Sequence, residues 1–236
     1  MWKILSPSSC RDSARSLEVW MNSAYPIEHT LKVNWGNSRF IMHNPNEVYG
    51  NKMEAIIRSA NKNMFFDICK NQGTVPVISS ERYVERCYQH IDPSGQNGSG
   101  IKFVASEESF TPGVLTVKEI KGDEYRVYFC YDMPKQIYLK APLTEATPEN
   151  PIRNSHNGYG YMNNPPQLRK IRDLRHHLYS LTNEVSARME LSYGAIDFIL
   201  DNDYTIWVLE TNSAPTLFNE ALVEGFAEEF NRRWGC

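Results

Sequence analysis

Asp197, Glu210 and Asn212, near the C-terminus, have the side-chain types and the spacing to grip a hard cation. Carboxylate and amide oxygens in an incomplete set suit Mg²⁺, or Mn²⁺, which keeps some waters and completes its shell with phosphate oxygens. The three sit in SYGAIDFILDNDYTIWVLETNSAPTL, where the apolar runs Ala195–Leu200 and Thr205–Leu209 flank Asp201-Asn202-Asp203-Tyr204. That pattern predicts a β-hairpin. With an even number of loop residues, Asp197 lies opposite Val208 and Glu210 follows one step along on the same face. Such diagonal neighbours are roughly 7–8 Å apart, close enough to lean toward shared ions. Asn212, two residues beyond Glu210, falls on the same side. A lone acid in a strand is ordinarily a solvated residue. Here the acids interrupt apolar runs, and Glu210, Asn212 and Pro215 follow in tight order, from which a purely structural strand would gain nothing.

Other stretches could serve such a site. Asp92-Pro93-Ser94-Gly95-Gln96-Asn97-Gly98-Ser99-Gly100 carries no bulky side chain and lies between predicted strands Arg82–Gln89 and Ile101–Ala105. Glycines let backbone N–H groups close around phosphate oxygens, although a Gly/Ser/Asn loop alone is more often a plain turn. In VLTVKEIKGDEYRVYF, from Val114, the runs Val114–Ile120 and Tyr125–Tyr131 flank Lys121-Gly122-Asp123, and period two puts Glu124 and Arg126 on one side. Trp2–Leu5, Ser13–Met21 and Leu31–Trp35 read as strand, helix and strand, an opening that suits a small α/β lobe. Trp35-Gly36-Asn37 then reads as a ligand contact at a strand end or, better, as a turn with an anchoring aromatic. Helical spacing covers Ala60–Gln72, Pro166–Met189 and Ala221–Trp234.

The 236 residues are enough for one substantial domain or two small lobes, and 41% hydrophobic with 22% charged content is that of a globular chain. A net charge of −3 gives no bulk attraction for nucleic acid. No apolar run approaches a membrane span. Five scattered cysteines without a C-x-x-C pair argue against disulfides and fit a reducing, cytoplasmic setting.

Asp, a hairpin and then Glu-x-Asn-x-x-Pro resembles the metal signature of ATP-grasp enzymes, ATP-dependent carboxylate–amine ligases. The chain is similar to the D-alanine–D-alanine ligases and to the ligases that add glutamate to a ribosomal protein, and in size it looks like compact ATP-grasp proteins of bacteriophages. The resemblance implies an α/β (α+β) fold in which two α+β subdomains clamp ATP, with a small lobe at 1–58, a small subdomain at 59–112 and a large one at 113–236. It implies metal ligation by Asp197, Glu210 and Asn212. Lys62, by itself a solvated first-turn residue, would reach nucleotide phosphates, as would Gly98, Ser99 and Gly100. Arg86, with Lys102 in competition, would be the second phosphate cation. Lys118, Glu119 and Ile120 would meet adenine, the backbone of the last two supplying the hydrogen bonds, and Glu124 the ribose hydroxyls.

Ile152-Arg153-Asn154-Ser155-His156-Asn157-Gly158-Tyr159-Gly160 loosely resembles a segment of the glutamate-adding ligases, placing Arg153 at the transferring phosphoryl group and Asn154 at the nucleotide. The arginine that often precedes the first metal carboxylate by two residues is replaced by Ala195, so Arg126 and Arg153 are the catalytic candidates. The implied reaction activates a carboxylate as an acyl phosphate, which an amine then attacks. Small-molecule or peptide acids and amines are the partners, with neither nucleic acid nor membrane. An ATP-binding module without turnover and an ATP-grasp kinase are the alternatives.

Overall fold

A computed structural model gives the fold and describes residues 1–37, 48–70, 75–94, 100–133, 135–143, 152–162 and 171–235. Strands β1 (Trp2–Leu5), β2 (Leu31–Asn34) and β3 (Val48–Gly50) form a parallel sheet in that order. Helix Arg11–Ala24 joins β1 to β2 and buries Ala14, Leu17 and Met21, the three- and four-residue spacing of one helical stripe. Trp35, just past β2, is fully buried and stacks on Tyr193 with ring centroids 5.4 Å apart. It anchors the turn, as the sequence favours. Gly36 has φ +74°, and a Cβ there would lie 2.4 Å from the Ala214 Cβ, so only glycine lets this turn meet the segment leaving the predicted hairpin.

A second, antiparallel sheet has the order β4-β7-β5-β6, from β4 (Val77–Ile78), β5 (Cys87–His90), β6 (Ile101–Val104) and β7 (Thr116–Lys118). The helix expected over Ala60–Gln72 is instead two helices, Met53–Ala60 and Lys62–Cys69. Asn61 breaks them because it is extended, and its side chain caps the second by accepting from the Met64 N–H at 3.1 Å. Lys62 thereby opens a helix. Gly100 closes the glycine-rich loop with φ +74°, its carbonyl accepting from the Ile91 N–H at 2.7 Å. Gly98 and Ser99 lie outside the described residues.

The third sheet is antiparallel in the order β10-β9-β8-β11-β12, with β8 (Gly122–Cys130), β9 (Gln136–Pro142), β10 (Tyr159–Met162), β11 (Tyr193–Asp201) and β12 (Ile206–Asn212). One of its faces, carrying Val127, Ile196, Phe198 and Val208, packs on Leu178, Leu181 and Val185 of helix Arg175–Met189. That helix begins nine residues later than the apolar spacing predicts, after a 3-10 turn at Arg172–Leu174. The other face is divided. Tyr128, Tyr138, Tyr193 and Ala195 bury against the N-terminal lobe and helix Glu220–Trp234, while the opposite end of the same face is polar. No helix of the described residues is long and apolar enough to cross a membrane.

Candidate active site

The hairpin loop is closed by one carboxylate. Asp201 accepts from the backbone N–H groups of Asp203 and Thr205, at 2.9 and 2.8 Å, and from the Trp207 indole at 2.7 Å. Leu200 therefore faces Ile206 and Phe198 faces Val208, with an odd number of residues in the loop. This corrects the even-loop expectation that set Asp197 opposite Val208. Continued unbroken, the odd register would set Asp197 against Leu209 and turn Glu210 to the wrong face. A β-bulge between Phe198 and Asp197 absorbs Leu209, so that Asp197 pairs with Glu210 and Ala195 with Asn212. Bulges of this kind re-aim side chains next to functional sites.

Cross-strand pairing lines the polar face up in rows. Tyr161, Lys140, Glu124, Ile199 and Trp207 follow one another across β10, β9, β8, β11 and β12. The adjacent row is Tyr138, Arg126, Asp197 and Glu210. Lys62 reaches this face from the start of its helix and ion-pairs with Glu210. Four cations thus stand among three carboxylates. Arg126 donates from Nε and Nη2 to the two Asp197 oxygens at 2.6 and 2.7 Å, and its Nη2 lies 3.8 Å from Glu210 Oε1. Lys140 Nζ is 2.6 Å from Glu124 Oε1 and 4.0 Å from Asp197 Oδ2. Arg153 donates to the Gly122 carbonyl at 2.9 Å and lies 3.9 Å from Glu124 Oε2.

Burial pushes the Glu210 carboxyl up, but Lys62, Lys140 and Arg126 together pull it below the ordinary carboxylate range. At Glu124 burial prevails over Lys140, and its carboxyl is raised. Burial also lowers the Lys140 ammonium, yet Glu124, Asp197 and Glu210 outweigh it and leave the group raised. Burial, then the charge of Lys62, pushes the nearby His90 imidazole down to about 4 against the opposing effect of Glu210. The unfolded chain therefore takes up a proton first, near its ordinary value, and stability falls as the pH drops from about 6.5 toward 4. His90→Gln is expected to remove about 3 kcal/mol of that loss by pH 4, read as the difference between wild-type and variant urea curves. Parallel curves would show that His90 is protonated in the folded state.

Lys118, Glu119 and Ile120 line one side of a cleft of about 450 Å³, with the hairpin tip at Asp201 on the other. The Glu119 N–H is spent on the Arg86 carbonyl at 3.0 Å and is not available to a ligand. Lys118 Nζ sits 3.9 Å from the centre of the Trp207 ring. Arg86, its side chain 57% exposed, pairs with Glu119 at 2.9 Å, and Lys102 donates to the Ser109 carbonyl. Neither joins the carboxylate rows. Lys140 does, and neither it nor Trp207 stood out in the sequence, where a lysine and a tryptophan in strands carry no motif. Asn154 caps a 3-10 turn by accepting from the Asn157 N–H at 2.9 Å.

Carboxylate and amide oxygens of the hairpin fit a hard divalent ion by type. Among the described residues no three His, Cys, Asp or Glu side chains are grouped to hold a metal unaided. Glu210 and Asn212, two residues apart on one face of the hairpin, fit an ion that brings phosphate and water ligands with it.

The two antiparallel sheets, one carrying the charged face and the other joined to it between Lys118 and Gly122, have the fold of ATP-grasp structures. A D-alanine–D-alanine ligase from Bacillus anthracis is similar over 98% of this chain and 94% of its own, with a TM-score of 0.63 and 13% identity. D-alanyl-alanine synthetase A from Vibrio cholerae is similar over 99% and 94%, with a TM-score of 0.62 and 12% identity. An L-amino acid ligase from Bacillus licheniformis is similar over 86% of this chain and 53% of its own, with a TM-score of 0.53 and 13% identity. No protein-family model and no curated protein matches the chain.

Proposed function

We propose that the chain is an ATP- and Mg²⁺-dependent carboxylate–amine ligase acting on amino acids or peptides. The observation that carries this reading is the pair of rows on one sheet face, where Lys62, Lys140 and Arg126 surround the hairpin carboxylates. The names of the similar structures, D-alanine–D-alanine ligase and L-amino acid ligase, support the substrate class. ATP binds between the two sheets, its base against the Ile120 N–H and the Glu119 carbonyl, with Trp207 and Ile199 beneath it. Glu124 accepts from the ribose hydroxyls.

Lys62 and Lys140 neutralise the triphosphate, and Arg126 and Arg153 face the transferring phosphoryl group. Glu210 and Asn212 would hold a magnesium ion at the hairpin, which would supply charge neutralisation to the triphosphate. The substrate carboxylate attacks the γ-phosphorus and ADP leaves; the amine then attacks the acyl carbon and phosphate leaves. Alignment and electrostatics carry the reaction, with no protein nucleophile.

The test is ADP release over a panel of amino acids and dipeptides, expected only when an acid and an amine are both present. Nucleotide binding without turnover would indicate a binding module, and a phosphorylated product that persists beside amines a kinase. Glu124→Ala is expected to weaken ATP binding about tenfold or more, the worth of a hydrogen bond to a charged acceptor. Unchanged affinity by calorimetry would remove Glu124 from the ribose.

A further inference from the structure

We propose that Asp197 is a positioning residue for Arg126 and that the site works with one divalent ion, on Glu210 and Asn212. This goes beyond the three-ligand expectation and rests on the ligase reading for the presence of a metal nucleotide. The two hairpin carboxylates differ sharply. The Asp197 side chain is 2% exposed and both its oxygens are bonded to one guanidinium, whereas the Glu210 side chain is 35% exposed and pairs with the single ammonium of Lys62.

Arg126 is buried, its side chain 6% exposed, and an aromatic ring covers its guanidinium. Its guanidinium lies 4.2 Å from the centre of the Tyr161 ring, and Tyr161 is stacked in turn on Phe218 with centroids 5.9 Å apart. A dication on Asp197 would stand beside that guanidinium, and within reach of the Lys140 ammonium 4.0 Å from Oδ2, where little water screens the repulsion. Glu210 also has cations beside it, Lys62 in an ion pair and Arg126 Nη2 at 3.8 Å, but its side chain is 35% exposed and neither of its oxygens is locked in a bidentate pair. Asn212 Oδ1 accepts from the Ala214 N–H at 3.0 Å and keeps a second lone pair for a ligand. Held in this way, Arg126 directs Nη2 toward Glu210, and so toward the phosphate that an ion on Glu210 would chelate. The pair thus places a fixed positive charge at the transferring group.

Manganese binding, followed by electron paramagnetic resonance with a non-hydrolysable ATP analogue, tests this. Wild type is expected to take one Mn²⁺ per bound nucleotide. Asp197→Asn should hold it within about threefold, with kcat lowered and the KM for ATP unchanged, whereas Glu210→Gln should weaken it at least about tenfold. If Asp197→Asn misfolds, the apolar pair Arg126→Met with Asp197→Leu replaces it, with the same expected manganese affinity. Two ions per nucleotide in wild type would overturn the proposal, as would an Asp197 variant that loses manganese as Glu210→Gln does. Nucleotide-independent failure of wild type to bind Mn²⁺ at all would instead overturn the ligase reading, and this proposal with it.

Discussion

Glu210→Ala is expected to lower Mg²⁺-dependent ADP release by about a thousandfold or more, the several kcal/mol that a metal contributes to a phosphoryl-transfer barrier. The fold should survive, because the Glu210 side chain is 35% exposed and its removal opens the Lys62 ammonium to water. Thermal unfolding of the variant should stay within a few degrees of wild type. The combination is diagnostic: a residue that matters only for packing would lose both properties together. Activity within about threefold of wild type would remove Glu210 from the metal site.

Breaking the Arg126–Asp197 pair should have the largest effect on stability. Arg126→Leu or Asp197→Leu leaves one charge without its bidentate partner on a face where the partners' side chains are 6% and 2% exposed, and each is expected to cost about 3–5 kcal/mol. That is a large share of the 5–15 kcal/mol typical of a whole domain. The double variant removes both charges and should recover most of the loss, so the cycle should give a coupling energy of about 3 kcal/mol. Urea denaturation of the four proteins measures it. Single variants costing under about 1 kcal/mol would mean a pair open to solvent, which would also remove the argument that Arg126 is rigidly presented.

Much of the architecture is legible because it depends on local periodicity. The apolar run Ala195–Leu200 marks β11, the spacing of Leu17 and Met21 marks the first helix, and Asp201 to Tyr204 mark the turn between β11 and β12. Glu124 and Arg126 share a face for the same reason, being two apart in one strand. Where local signals compete, the reading fails. Asn61 looks like part of a helical run from Ala60, yet its side chain stabilises the N-terminus of a new helix better than its backbone continues the old one.

What the sequence determined by itself is the inventory and the period: oxygen donors on a hairpin, cations along other elements, and which residues of each strand share a side. Tertiary structure decided how those sides meet. The face shown by Glu210 depends on one extra residue, Leu209, taken up in a bulge, and nothing in the chemistry of leucine announces it. Lys140 and Tyr161 enter the site through the registers of β9 and β10, and Arg126 meets Asp197 across 71 residues of chain. The physical reason is that alternation is a property of one strand, whereas the register between strands is set by turn closure and packing at a distance. A slip of one residue leaves the local pattern intact and reverses every side chain.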